Sequence, residues 1–261
     1  MLFSDHPRTH YPSAPVHEVI CQLRFPTILT INNVEPADFQ EIIRDTFPQY
    51  ARRQDMPAPQ PLPAGAAGMP KPVPVTNYHF LSADNHWKLN LTKDFIALST
   101  IRYTGWEEFA HHLDKALAAF IQTYKPAYFE RVGLRYLNFI SRNALNLSNT
   151  PFRELITPAY LGLLTDDDVN DSMVTMSNLN TEVNIRGGCK VKIHTGPGLV
   201  KKNGQGDNEI RFIFDQDLYM PGKVPVNMSA GALQTLHSQA WAIFRGAITD
   251  TLHEAMNPNS V

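Results

Sequence analysis

The sequence predicts an α+β fold, with two tandem β-α-β-β-β-α units forming one largely antiparallel sheet that carries its helices on one face. Three observations predict it. A long aromatic and β-branched stretch at the middle of the chain, AYFERVGLRYLNFI (127–140), is echoed near the N-terminus by VHEVICQLRFP (16–26). Three short matches then recur in the same order and on the same kind of element. Leu23-Arg24-Phe25 matches Leu134-Arg135-Tyr136, Phe39-Gln40-Glu41-Ile42-Ile43 matches Phe152-Arg153-Glu154-Leu155-Ile156, and Ala116 to Phe120 matches Ala240 to Phe244. Between these matches, segments of period two are followed by segments of period 3.6, the patterns of half-buried strands and helices. The repeat units run over about 15–123 and 127–256. They divide the chain into halves, 1–126 and 127–261, expected to form one integrated unit because each half-sheet needs helices over its apolar face.

In the first half, residues 1–15 read as an extended lead-in. Val19, Cys21, Leu23 and Phe25 share one face of the first strand, and Glu18, Ile20, Gln22 and Arg24 the other. A helix is expected at about 36–47, with Pro36 in its first turn, Phe39, Ile42, Ile43 and Phe47 as its stripe, and Pro48 ending it. The proline-rich stretch 52–75 reads as an exposed crossing loop, because proline removes ladder donors and fixes φ. Strands follow at about 76–82, 86–92 and 95–102, then a helix at about 105–123 with Trp106, Phe109, Leu113, Leu117 and Phe120 buried. Glu107 and Glu108 in its first turn suit the helix dipole.

The second half is expected to replay this order. A helix at about 151–163 follows the central strand. An acidic loop leads to strands at about 172–184, 187–195 and 208–215, with a glycine-rich hairpin loop at 196–206 and a further loop at 217–228. One long helix, about 229–255, opened by Ser229 as N-cap, closes the chain.

Composition narrows the function. The chain has 261 residues, 23 basic and 25 acidic, with a formal net charge of -2. That balance fits neither a constitutive polyanion binder nor an acidic tail. No apolar run approaches membrane-spanning length and the start lacks a signal-peptide core, so a cytoplasmic protein without membrane contact is expected. Cys21 and Cys189 lie in alternating strand patterns and read as small buried hydrophobes. No Cys/His spacing suggests zinc, no phosphate loop or GxSxG element is present, and no cofactor is expected. Asp166, Asp168 and Asn170 have the first EF-hand spacings, but Asp171 and Ser177 replace the required glycine and glutamate, so a solvated acidic loop is expected. His111 and His112 point to different sides of a helix, and His237 and His253 read as packing or surface residues, so no catalytic residue is assigned. Glu18 and Glu130 lie near the mirrored strands and could form a carboxylate pair, but with Arg24, Arg131 and Arg135 nearby charge neutralisation is their simpler role.

One constellation stands out. Arg24, Lys88, Arg131, Arg135, Lys190, Lys192, His194 and Arg211 each lie opposite the apolar face of a strand, so with helices on the other side they collect on the open face of the sheet. Such residues also cover any solvated sheet face.

The segments VHEVICQLRF, FERVGLRYLNFI, LHSQAWAIF and ITDTLHEAM resemble an uncharacterised protein family described as sporadically distributed among bacteria and archaea. The resemblance implies no activity or cofactor. Its scattered distribution implies mobile-element, defence or toxin–antitoxin neighbourhoods. The duplicated plan also resembles the TATA-binding protein, at the level of architecture alone. The expected function is therefore a non-catalytic binding or regulatory protein that meets a protein partner or a second copy of itself through the basic sheet face. The alternatives are a nucleic-acid-binding protein and an enzyme acting on an anionic substrate.

Overall fold

The computed structural model describes residues 2–56, 74–200 and 206–260. The chain enters along a short strand, β1 (Thr9–His10), followed by β2 (Val16–Arg24). Two short helices, α1 (Leu29–Asn33) and α2 (Ala37–Ile43), lead to β3 (Gln49–Asp55), β4 (Val75–Leu81), β5 (Trp87–Leu91), β6 (Phe95–Thr100) and the long helix α3 (Trp106–Tyr124). β7 (Phe129–Ile140) opens the second half. After a series of 3-10 turns come β8 (Leu179–Asn184), β9 (Lys190–Leu199), β10 (Ile210–Val224), α4 (Ser229–Ala247), α5 (Asp250–Ala255) and β11 (Asn259–Ser260).

Nine strands form one antiparallel sheet in the order β3-β4-β5-β6-β2-β7-β10-β9-β8, and β1 pairs with β11 in a separate two-stranded sheet. The echoed strands β2 and β7 lie side by side at the join. The match of Leu23 with Leu134 makes Gln22 and Gly133 equivalent, and these two residues pair directly across the join. Outward from it, both halves run in one order: first strand, last strand, then the others in reverse.

Register puts Cys21, Leu23, Val132, Leu134, Leu98 and Leu89 on one face, all buried. That face carries the helices. Phe120 of α3 meets Phe25 at 4.7 Å between ring centroids, Phe39 of α2 meets Phe80 at 5.5 Å, and Phe244 of α4 meets Phe214 at 5.9 Å. Helix α3 ends where Lys125 adopts a left-handed conformation and its N–H returns to the Ile121 carbonyl, just before Pro126.

Several boundaries differ from the sequence reading, each for a local reason. Residues 49–55 form β3, a charged edge strand on β4, so the crossing loop begins later than residue 52; residues 57–73 lie outside the described residues. Its presence gives the first half four strands after its first helices rather than three. The expected helix at 151–163 is three 3-10 turns. Pro158 disfavours helical backbone at Thr157 and supplies no N–H, and Ile156 instead bridges Ile248. The same bridge splits the closing helix. Ile248 is extended, the Thr157 N–H donates to the Ala247 carbonyl, the Thr249 N–H donates to the Leu155 carbonyl, and Thr249 then caps α5. Strand β8 starts only at Leu179, and β10 runs on through 217–224 alongside β7, past a bulge at Pro221–Val224, where a loop was expected. Strand β9 extends to Leu199, into the expected glycine-rich loop, of which residues 201–205 lie outside the described residues.

The lead-in is a packed strap. The Ser4 N–H donates to the Ala242 carbonyl, Thr9 and His10 pair with β11, and the Tyr11 hydroxyl lies 2.8 Å from His253 Nδ1. Among the described residues, no helix is long and apolar enough to cross a membrane.

Candidate functional site

The eight candidate residues of the sheet lie on the face opposite the helices, but carboxylates of β8, of β10 and of the segment just before β10 meet most of them. Arg131 reaches both oxygens of Asp217 at 2.8 Å and lies over the Tyr219 ring. Gly133 makes this possible, because a Cβ there would sit on the Arg131 guanidinium. Arg135 holds Asp215 through two parallel bonds of 2.7 and 2.5 Å. This pairing raises the arginine's pKa, against the opposing effect of burial. Lys190 and Lys192 lie 3.7 and 3.6 Å from Glu182. Arg211 pairs with Asp207 and Glu209, and His194 Nε2 lies 3.1 Å from Asn178 Oδ1. Arg24 and Lys88 carry no ion pair among the described residues. The face is therefore a mosaic of both signs rather than a cationic patch. Asp215 and Asp217 escape a reading that ends the strand at 215, since only the continued strand puts both on the open face beside β7. Glu18 is part-buried on β2 and Glu130 exposed on β7, and neither joins an ion pair among the described residues.

A second site lies on the helix side, where the two halves meet. Here a cavity of about 680 Å³ is bounded by β7, β10, the first turn of α3, the middle of α4 and the strap. Its position follows from the fold. β7 and β10 supply a floor of Tyr136, Asn138 and Gln216, α3 begins at the edge with Trp106, and the strap passes over from Arg8 to Val16.

The polar groups of this cavity are tightly placed. Tyr136 Oη lies 2.8 Å from His237 Nδ1, and the His237 ring stacks on the Trp106 ring, 4.3 Å apart and nearly parallel. Trp106 Nε1–H donates to Gln234 on the next helix. Burial, reinforced by the Arg8 guanidinium, pushes the His237 pKa down to about 3, so the imidazole is neutral at physiological pH. Burial likewise pushes Tyr136 well above the usual phenol range and Tyr103 up to about 12. Arg8 and Glu107 form an ion pair of 3.2 Å at the solvent side.

Five buried side-chain polar atoms have no hydrogen-bond partner among the described residues. Three of them, Gln216 Oε1, His237 Nε2 and Trp241 Nε1, belong to residues that line this one cavity. All three expose almost no surface, so they are sealed within the cavity wall rather than presented to its interior. A scan against protein-family models finds no match, and a search of curated proteins finds no similar sequence.

The sequence reading took His237 as a packing or surface residue and did not single out Gln216 or Asn138. A signal was present. Asn138 lies between Tyr136 and Ile140 on the apolar face of β7, and Gln216 between Phe214 and Leu218 on that of β10. Polar residues at core-facing positions need partners, and here three of them converge from β7, β10 and α4.

The acidic loop serves structure. Arg142, stacked over Phe152, donates to Asp171 at 2.6 Å, and Asp171 also accepts the Phe152 N–H.

Proposed function

We propose that the protein is a non-catalytic ligand-binding protein whose binding site is the cavity between its two halves. The observation that carries this reading is one largely apolar cavity of ligand size, about 680 Å³, whose lining gathers the core-facing polar side chains of Tyr136, Asn138, Gln216 and His237. A regulatory role suits the location, because a ligand there would touch the first turn of α3, the middle of α4 and the strap together, and would stabilise the arrangement that brings all three together. Burial favours the neutral imidazole of His237 and the protonated phenol of Tyr136.

The reading is tested by equilibrating the protein with a small-molecule cell extract, washing it, and identifying released compounds by mass spectrometry. The control is Ala14→Trp, which plugs the cavity from an exposed position on the strap. A compound enriched on the native protein and absent from the variant is the expected result. Equal capture by both, or by neither, overturns it.

A second reading keeps the open sheet face as a surface for a protein partner or a second copy of the chain. It is favoured by a groove of about 480 Å³ along β8, β9 and β10, which presents Arg135 and Lys192 beside Glu182, Asp215 and Asp217. Alternating signs suit a protein surface better than a phosphate backbone or an anionic substrate. Retention on heparin at low salt that falls steeply as salt is added would favour the nucleic-acid form instead.

A further inference from the structure

We propose that the free edge of β8 is an interaction surface that takes a second copy of the chain, joined strand to strand about a two-fold axis at Thr181. This surface is distinct from the cavity, and its test does not depend on what the cavity binds. Three features converge on that partner.

The first is an open edge. β8 ends the nine-stranded sheet, with β9 on one side and no described strand on the other. In an antiparallel ladder, alternate residues turn both backbone groups toward the same neighbour. The Ile185 N–H donates to the Cys189 carbonyl within the β8–β9 hairpin, so Thr181 and Val183 face β9, and Asn180, Glu182 and Asn184 turn their N–H and C=O groups outward. A row of such groups is a template for another strand. The opposite edge is guarded: on β3, Arg52 and Arg53 are adjacent and exposed, so one cation stands on each face. β8 carries a single charge, Glu182, and Lys190 and Lys192 of β9 already stand beside it.

The second is self-complementarity. Side chains directly opposite across an antiparallel pair share a face, and a two-fold axis applies the same pairing in both directions. Centred on Thr181, it sets Leu179 opposite the partner's Val183, and Asn180 opposite the partner's Glu182. Leu179 and Val183 are half-buried on the helix side, while Asn180 and Glu182 are exposed on the open side. Apolar therefore meets apolar on one face and amide meets carboxylate on the other, with no like charges directly opposed. The third is exposed apolar surface. Leu163, Met173 and Met176 are exposed in the turns that lead into β8, and Gly162 of those turns lies against Leu179. A second copy laid along β8 would extend over that end of the strand.

The test measures mass in solution by sedimentation equilibrium. The native chain is expected to rise toward twice the single-chain mass as its concentration is raised to about 100 μM. In the paired register Thr181 faces its own copy in a pair without hydrogen bonds, where Cα atoms lie about 4.5 Å apart, within the span of a disulfide. Thr181→Cys should therefore give a cross-linked dimer on mild oxidation, released by reductant, whereas Gln54→Cys on β3 should not; the native Cys21 and Cys189 are buried. Thr181→Lys sets two ammonium groups face to face at a position exposed in the single chain, and should weaken the dimer by roughly tenfold or more with the circular dichroism spectrum unchanged. A single-chain mass throughout, a dimer that Thr181→Lys leaves intact, or cross-linking no faster at residue 181 than at residue 54 would each overturn the proposal.

Discussion

Arg131 and Gly133 show how one residue's missing side chain sets another's partner. The guanidinium crosses the space a Cβ would fill and so reaches Asp217. Gly133→Ala and Asp217→Ala should each cost about 1–2 kcal/mol in urea unfolding, and the double variant should cost less than their sum, because both act through the same Arg131 contact. Full additivity would show that the arginine is held by other means. Arg135 illustrates the same pairing. It holds Asp215, which belongs to its own half, so it does not bridge the halves. Arg135→Glu would set a third carboxylate beside Asp215 and Asp217, and should cost about 1–3 kcal/mol rather than the near-zero of an unpaired surface site. His237 carries a pH signature. Its folded pKa of about 3 lies below the ordinary histidine value near 6.5, so protons bind the unfolded chain preferentially. The stability it contributes is complete above about 6.5 and is lost as pH falls toward 3. His237→Phe should flatten that acid limb, by an amount on the order of a few kcal/mol across the window. An unchanged limb would place the burden on His79, His112 and His253, whose pKa values burial also lowers.

At the scale of elements, the closing helix is the clearest departure from the sequence reading. Its apolar stripe continues through Ile248 and Leu252, so periodicity alone carries it to residue 255. The break arises because the segment 155–157 competes for the backbone of 247–249 and takes two hydrogen bonds there, which together form the Ile156–Ile248 bridge. Thr249 completes the arrangement, accepting the Leu252 N–H and donating to the Glu154 carbonyl at 2.6 Å. Thr249→Ala should cost about 1–2 kcal/mol, and Thr249→Ser, which keeps the hydroxyl, should recover most of it. The stripe of α3, by contrast, is legible residue by residue, since Trp106, Phe109, Leu113, Leu117 and Phe120 are all buried. No competing segment interrupts that helix.

For the whole molecule, the join between β2 and β7 and the cavity beside it make the two long helices unequal. α3 and α4 have the same length of 19 residues, and Phe120 and Phe244 occupy matching places. Phe120 is packed on all sides, whereas Phe244 borders the cavity. Phe120→Ala should cost about 3–5 kcal/mol, and Phe244→Ala distinctly less, because fewer of its neighbours lose contact when the ring is removed. Equal losses would mean that the cavity does not reach Phe244. Because β2 and β7 are central strands of one sheet, a fragment ending at residue 126 would bare the edge of β2.

Alternation and helical stripes are local properties of the chain, and they settled much in advance: the α+β class, the antiparallel strands around an echoed central pair, the single helix-covered face and most of the aromatic core. What they left open depends on residues distant in sequence. The carboxylates that neutralise Arg131 and Arg135 come from β10, some 80 residues on. The cavity exists only where β7, β10, α3, α4 and the strap come together. Periodicity tells which face a side chain takes, because that face follows from backbone geometry within a few residues. Its partner follows from strand order and register, which are set by the packing of the whole sheet. The candidate site is made of partners, so it became visible only in the folded molecule.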